Sequence, residues 1–327
     1  MTARPATGAA SGPAPGTAGR LLGTLYRGAD SDLAYSFRRN PVVVTAAIVT
    51  LLYFFGAAFA DWLAPHTPFD PSTLSLGDAE KPPAWIEGGD WSYVLGTDNQ
   101  GRDIFSTILY GSRLSLIVGF SAVIFSVVLG VGLGVTSGYF GGWYESVVMR
   151  AADVQLTLPS ILVALMVDGV ARAIFAGTDI KTDATFAIYV LIFAIGISAW
   201  PQYARVVRSA TLVEKSKDYV AAARVIGIPS WRIMLRHVLP NTMGPVLVIG
   251  TIDLALAVIT EATLSFLGVG IPPTQPSLGT LIRVGQEFLF SGQWWITLFP
   301  ALALVLLVLA VNLLGDWLRD ALNPKLR

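Results

Sequence analysis

Long runs of uncharged apolar residues, each near the length needed to cross a lipid bilayer, set the first limit on what this chain can fold into. The clearest cover residues 41–60, 114–135, 184–204 and 294–314. Roughly 20 apolar residues cross the hydrocarbon core as a helix, and a helix satisfies its own backbone polar groups where no water can. Two further runs are less clean. Residues 147–170 carry Arg150, Asp153 and Asp168, and residues 241–266 carry Asp253 and Glu261. The chain is 54% hydrophobic and only 13% charged, too little charge to solvate a protein that buried so much apolar surface in water. The expectation is an all-α integral membrane protein with six transmembrane helices. Pro159, Pro201 and Pro245 are expected to bend their spans.

Six spans put both termini on one side. With that side cytoplasmic, 16 of the 22 Lys and Arg residues lie inside, as the positive-inside tendency requires. Residues 1–19, rich in Ala, Gly, Pro, Ser and Thr, are expected to form a disordered cytoplasmic tail, with residues 21–39 along the membrane surface. The first apolar run starts too late and is too long for a cleavable signal, so it reads as an uncleaved anchor. Residues 61–110 form the longest polar insertion and are placed outside, where they cap a pathway, touch a delivery protein or only cover the outer face. Trp62, Trp143, Trp294, Trp295 and Trp317 sit near span ends and are read as interfacial belt residues.

Between two apolar runs lies a basic stretch with helix and turn signals. Tyr219 to Ile226 has no helix breaker and contains Ala221, Ala222 and Ala223, the best intrinsic helix formers. Gly227 suits the left-handed residue that closes a helix, and Pro229 the first position of a second one through His237. Pro240 is read as the break between that helix and the next apolar one. Arg205, Arg208, Lys215, Lys217, Arg224, Arg232 and Arg236 make the connection positive, so it faces the cytoplasm as a docking surface.

Several function classes are excluded or weakened. There is no cysteine, and the two histidines, His66 and His237, fall in segments on opposite sides of the membrane, so a zinc site built from them is implausible. No glycine is followed by lysine, so the phosphate loop of a P-loop ATPase is missing. No H-E-x-x-H or G-x-S-x-G signature suggests an intramembrane enzyme, and catalytic residues are expected to be none. Basic segments lack the interleaved aromatics of a nucleic-acid surface. Gly130, Gly132, Gly134 and Gly138 lie in or at the end of an apolar span and are read as a close helix-packing stripe rather than a dinucleotide fingerprint. Arg150 and Asp153, three apart, are expected to pair locally. Asp253 and Glu261, eight apart on one helical face, must face protein or water, because charge in hydrocarbon is costly. With neighbouring Ser265 they either line a water-filled path or hydrogen-bond across an interface to a second membrane subunit. A proton-coupled secondary transporter using Asp253 or Glu261 is the alternative, although no inverted repeat of broken segments is evident.

The basic stretch resembles the EAA loop of ABC importer permeases. Ala222, Ala223, Gly227, Leu239 and Pro240 fall at the matching places, while Ala221 stands where the pattern has glutamate and His237 where many importers have isoleucine. Flanking motifs extend the resemblance: LGTDNQGRDIFSTILYGSRLSL (95–116), GYFGGWYESVVMRAADV (138–154), EATLSFLGVG with PPTQPSLG (261–279) and NLLGDWLRDALNPKLR (312–327). Together they are similar to the dipeptide and oligopeptide (peptide/nickel) permease family, in particular its second membrane subunit. The resemblance implies a type I ABC importer permease (MetI-like) fold in the bacterial inner membrane. It also implies a coupling role for Asp218, Tyr219, Ala221, Ala222, Ala223, Arg224, Gly227, Pro229, Arg232, Arg236, His237, Leu239 and Pro240. Implied partners are a homologous permease forming a heterodimer, two cytoplasmic ATPases that hold the ATP and Mg, and an extracytoplasmic binding protein. No cofactor is expected in this chain. The implied organisation is a tail at 1–39, a first span with outer loop at 40–112, a permease core at 113–316 containing the coupling loop 205–240, and a cytoplasmic tail at 317–327.

Overall fold

A computed structural model describes residues 32–70, 74–175, 184–272, 275 and 277–322, so the expectations for the first 31 residues and the last five lie outside the described residues. Two compact units divide at Val44/Thr45. Within the first, helix α1 (Asp32–Arg39) precedes Asn40, whose side-chain oxygen accepts the N–H groups of Val42 and Val43 at 3.1 and 3.4 Å and so caps the start of α2 (Pro41–Ala58).

In the second unit, α2 ends where Arg113 donates to the carbonyls of Ala57 (2.6 Å) and Ala58 (3.1 Å) and to Asp61, placing a cation at a helix C-terminus. The short α3 (Ala60–Leu63) opens the insertion, whose described residues are tied together by specific contacts. Asp98 and Arg102 form a nearly fully buried pair at 2.6 Å, a single antiparallel bridge joins Thr97 to Asp103, and Trp295 donates its indole N–H to the Thr97 carbonyl at 3.2 Å. Trp295 is thus buried in protein and is not an interfacial belt residue, whereas Trp62 and Trp143 are exposed.

Helix α4 (Ile104–Phe140) starts ten residues before the apolar run, because the Asp103 carboxylate accepts the Ser106 N–H at 2.9 Å and caps it. The insertion therefore ends at Asp103, and α4 runs across the expected 112/113 domain boundary. At 37 residues, α4 is about 55 Å long, well beyond a hydrocarbon core. Gly141 and Gly142, with φ of 73° and 63°, turn the chain into α5 (Gly142–Leu156). The run expected as one span at 147–170 is two helices, α5 and α6 (Ser160–Ile174), meeting at 99°. Pro159 takes an extended ψ of 131° there, and a proline removes both the hydrogen bond and the space that would carry a helix through. Helices α7 (Ala184–Lys215), α9 (Ser230–Phe266) and α11 (Trp295–Leu322) continue through Pro201, Pro245 and Pro300. Counting α2 and α4 as well, five helices among the described residues are long and apolar enough to cross a membrane, and the bent α5–α6 pair is the candidate sixth.

Pro240 does not end a helix. A π-helical turn at Met234–Val238 joins Ser230–Ile233 to Leu239–Phe266, with Leu239 in right-handed helical geometry. The wider turn shifts the carbonyls that a proline ring would otherwise strike, so α9 absorbs Pro240 in its course. The short α8 (Asp218–Val225) and α10 (Leu278–Gln286) complete the fold, and the described residues contain no β-strand.

The core is the close approach of α4 and α7. A Cβ at Gly130 would lie 2.5 Å from Tyr203 Cβ and 2.6 Å from the Trp200 carbonyl, and one at Gly134 would lie 2.7 Å from the Ala204 carbonyl. Gly138 meets Arg208 and Thr211 in the same way, whereas Gly132, on the other face, has nothing within 4 Å. Lys215 ties the ends together by donating to the Gly138 (3.1 Å) and Tyr139 (2.9 Å) carbonyls. Asp153 pairs with Arg205 of α7 at 2.6 Å rather than with Arg150, because the long Arg205 side chain reaches it across the helix pair. Glu145 likewise pairs with Arg208.

Gly130→Ala should lower stability by about 1–3 kcal/mol through overpacking, while Gly132→Ala should leave it unchanged. Thermal melting of the detergent-solubilised protein, followed by size-exclusion recovery, distinguishes the two.

Candidate functional site

Two places carry the residues singled out in the sequence. The first is α8 with the start of α9. One side of α8 is anchored, since Val220 and Ala223 pack into a buried cluster with Val131, Val135, Tyr203, Val207, Ile233 and Val238. Its end closes as the helix signals predict. Gly227 has φ 85°, its N–H bonds the Arg224 carbonyl at 3.0 Å, and the Ile228 N–H bonds the Ala223 carbonyl at 3.0 Å, a Schellman motif.

The other side faces outward. Asp218, Tyr219, Ala221, Ala222, Arg224, Gly227, Pro229, Arg232 and Arg236 are exposed, His237 and Leu239 are half-buried, and Pro240 is exposed. At the tip, Val225 and Ile226 are 88% and 78% exposed, and Trp231 presents its ring with Arg232 over it at 5.2 Å. Where the family pattern has glutamate, Ala221 offers only a methyl group.

A polar lock behind the tip was not read from the sequence. Tyr219 donates to Glu214, Lys217 pairs with Glu214 at 2.7 Å, and Asn241 donates to Tyr219 at 3.1 Å and to the His237 carbonyl at 2.7 Å. The Glu214 carboxylate holds the Lys217 pKa above the ordinary lysine value, while burial, followed by the hydrogen bond to Glu214, pushes the Tyr219 phenol up. The contact of His237 is a tilted ring approach to Tyr219 at 6.3 Å between centroids. The signal in the chain that points to the lock is the three-residue spacing of Glu214 and Lys217.

The second place is a cavity of about 320 Å³ among α4, the α5–α6 break, α7 and α9. Gln155, Ser160, Ser198, Gln202, Asp253 and Thr260 supply polar groups to its wall. Asp253 is buried and accepts from Tyr203 at 2.8 Å and from Gln202 at 3.0 Å. Gln155 spends its amide on the helix crossing, donating to the Ile197 carbonyl and accepting from the Trp200 indole at 2.9 Å.

Glu261 shares the helix face of Asp253 but not its surroundings. It is fully buried and accepts from Ser115 at 2.6 Å and Ser265 at 2.7 Å, while the Ser115 hydroxyl also receives the Leu278 N–H at 3.4 Å. Its carboxylate therefore joins α4, α9 and α10 inside this chain. The expected placement of Glu261 and Ser265 on a pathway or a subunit interface is corrected accordingly, because Glu261 is turned inward onto Ser115 of α4 and Ser265 donates back to Glu261 within α9.

An all-helical bundle with a broken span, an exposed short helix on a basic connection and a polar cavity among its spans has the build of a transport permease. Residues 130–327 match the family described as binding-protein-dependent transport system inner membrane component, and residues 31–83 match the N-terminal TM domain of oligopeptide transport permease C. The chain belongs to the binding-protein-dependent transport system inner membrane component family. It is 39% identical over 294 residues to the dipeptide transport system permease protein DppC of Haemophilus influenzae, covering 90% of this chain and 94% of the relative. It is 42% identical over 291 residues to the protein of the same name from Escherichia coli K12, covering 89% and 91%. Among solved structures, a chain of the inward-facing MetNI methionine ABC transporter superposes with a TM-score of 0.50 at 21% identity, covering 67% of this chain and 98% of that one. The fold is that of an ABC importer permease, and the protein is a multi-pass membrane transport subunit. The proton-coupled alternative finds no support in these relationships.

Glu261→Ala strips two buried hydroxyls of their acceptor and should cost on the order of 2–4 kcal/mol, against about 1 kcal/mol for Ser265→Ala. Thermal midpoints of the two variants in one detergent test that order.

Proposed function

We propose that this chain forms one half of the translocation pathway of an ATP-driven importer for di- or oligopeptides. The other half is a homologous permease subunit, and the energy comes from two cytoplasmic ATPases that hold the ATP and Mg. An extracytoplasmic binding protein delivers the solute. Both termini lie in the cytoplasm of a bacterial cell whose inner membrane holds the complex, and the insertion at 61–103 faces outward. No chemical step falls to this chain. The names of the relatives support the peptide substrate, and the charge asymmetry supports the orientation.

The observation that carries the coupling role is the tip of α8. Val225 and Ile226 lie outside the long apolar helices, on a basic connection, yet they are the most exposed aliphatic side chains in it. Large apolar groups left in water beside a rigid helix end are the anchors of a protein interface. An ATPase groove receives them, with Arg224, Arg232 and Arg236 at the rim. Because Val220 and Ala223 bind the opposite side of α8 to α4, α7 and α9, movement of the tip is carried into the spans as a rigid unit. The half-chain division of labour then needs no catalytic side chain in the membrane, only two packings of the helices that expose the cavity to alternate sides.

Ile226→Asp and Gly227→Asp should each lower ATP-driven peptide uptake in proteoliposomes by at least about tenfold, the mark of an interface hot spot. Membrane insertion should be retained. Normal uptake in both variants, with the ATPase still co-purifying, would remove α8 from the coupling surface.

A further inference from the structure

Asp253 stands midway along the 28-residue helical stretch Leu239–Phe266, about 20 Å from either end. A carboxylate at that depth is costly unless a positive charge meets it. Its two partners, the Tyr203 hydroxyl and the Gln202 amide, are neutral. None of the ion pairs among the described residues involves it. Each carboxylate oxygen receives one hydrogen bond and keeps a further lone pair. Gln202 uses its amide nitrogen on Asp253, which leaves its carbonyl oxygen to accept another donor.

These groups border open space. The cavity of about 320 Å³ falls at the lower end of the range for small-molecule pockets, roughly 300–1,000 Å³. Asp253 is the one titratable side chain among the described residues of its wall, and the remaining polar liners are hydroxyls and amides. Such a wall attracts one compact cation with several N–H donors and has no basic group to hold a carboxylate.

We propose that Asp253, with the Gln202 carbonyl, is a way-station for the α-ammonium group of a peptide crossing the membrane. Tyr203 and Gln202 hold the carboxylate toward the cavity, so they are positioning residues. The site gives this half of the pathway a preference for the amino end of the solute. It rests on the peptide-importer reading given above.

The test uses the whole transporter, co-purified with this chain and reconstituted with its binding protein, and measures ATP-driven uptake of Ala-Ala by wild type, Asp253→Asn and Asp253→Glu. Removing the charge should reduce uptake by about tenfold or more, as loss of one partner of a desolvated charged pair does. Complex yield and ATPase rate should stay near wild type, and Asp253→Glu should recover a substantial part of the uptake. Equal uptake in wild type and Asp253→Asn would overturn the site while leaving the importer reading intact. Equal loss in both variants would also overturn it, because geometry rather than charge would then be decisive. A wild-type complex that hydrolyses ATP but takes up neither Ala-Ala nor a longer alanine peptide would overturn the peptide reading and the ammonium site together.

Discussion

The contact on which everything else rests is the approach of α4 to α7 through Gly130, Gly134 and Gly138. In lipid the hydrophobic effect does not drive helices together, because acyl chains solvate leucine as well as another helix does. Close backbone contact and dispersion have to supply the association. Small residues every fourth position make one face of α4 flat enough for Trp200, Tyr203, Ala204 and Val207 to lie against it. The face holding Gly132 is free of that demand. Once the pair is set, Lys215 can reach the last carbonyls of α4, and Glu145 and Asp153 can reach the arginines of α7.

The same pair positions both functional regions. Tyr203 belongs to the same buried cluster as Val220 and Ala223, the anchored side of α8, while its hydroxyl holds Asp253 at the cavity. One buried cluster therefore runs from α8 to the residue that holds the cavity's carboxylate. Packed interiors transmit displacement because they have little free volume.

Much of this was legible in the chain. Apolar run length located the five long helices and the region of the sixth, and the Gly-x-Pro turn located the Schellman closure at Gly227, because both follow from local rules. Helix ends were read less well. The apolar run does not announce that Asp103 caps α4 ten residues earlier, nor that a π turn carries α9 through Pro240, since both depend on neighbouring backbone geometry. Ion-pair partners were missed for a related reason. Arg150 is three residues from Asp153 in sequence, but Arg205 comes from another helix, and tertiary reach is invisible to spacing. The 99° break was foreseen only as a bend at Pro159, because sequence gives the position of a proline but not the space that lets the chain turn so far.

Asp253 and Glu261 give the clearest case of identical local signals with different outcomes. Each is an acid on the same face of one apolar helix, and a rule based on burial cost treats them alike. What separates them is the supply of donors. Glu261 sits where α4 brings Ser115 and its own helix brings Ser265, so its polar demand is met inside the chain and its surface exposure is nil. Asp253 sits where the α5–α6 break leaves a gap, so α7 furnishes two neutral donors and beyond them lies the cavity. A buried acid that is fully enclosed by donors stiffens a fold. The one left facing a cavity keeps unspent capacity, and in a transport protein that capacity is available to whatever passes.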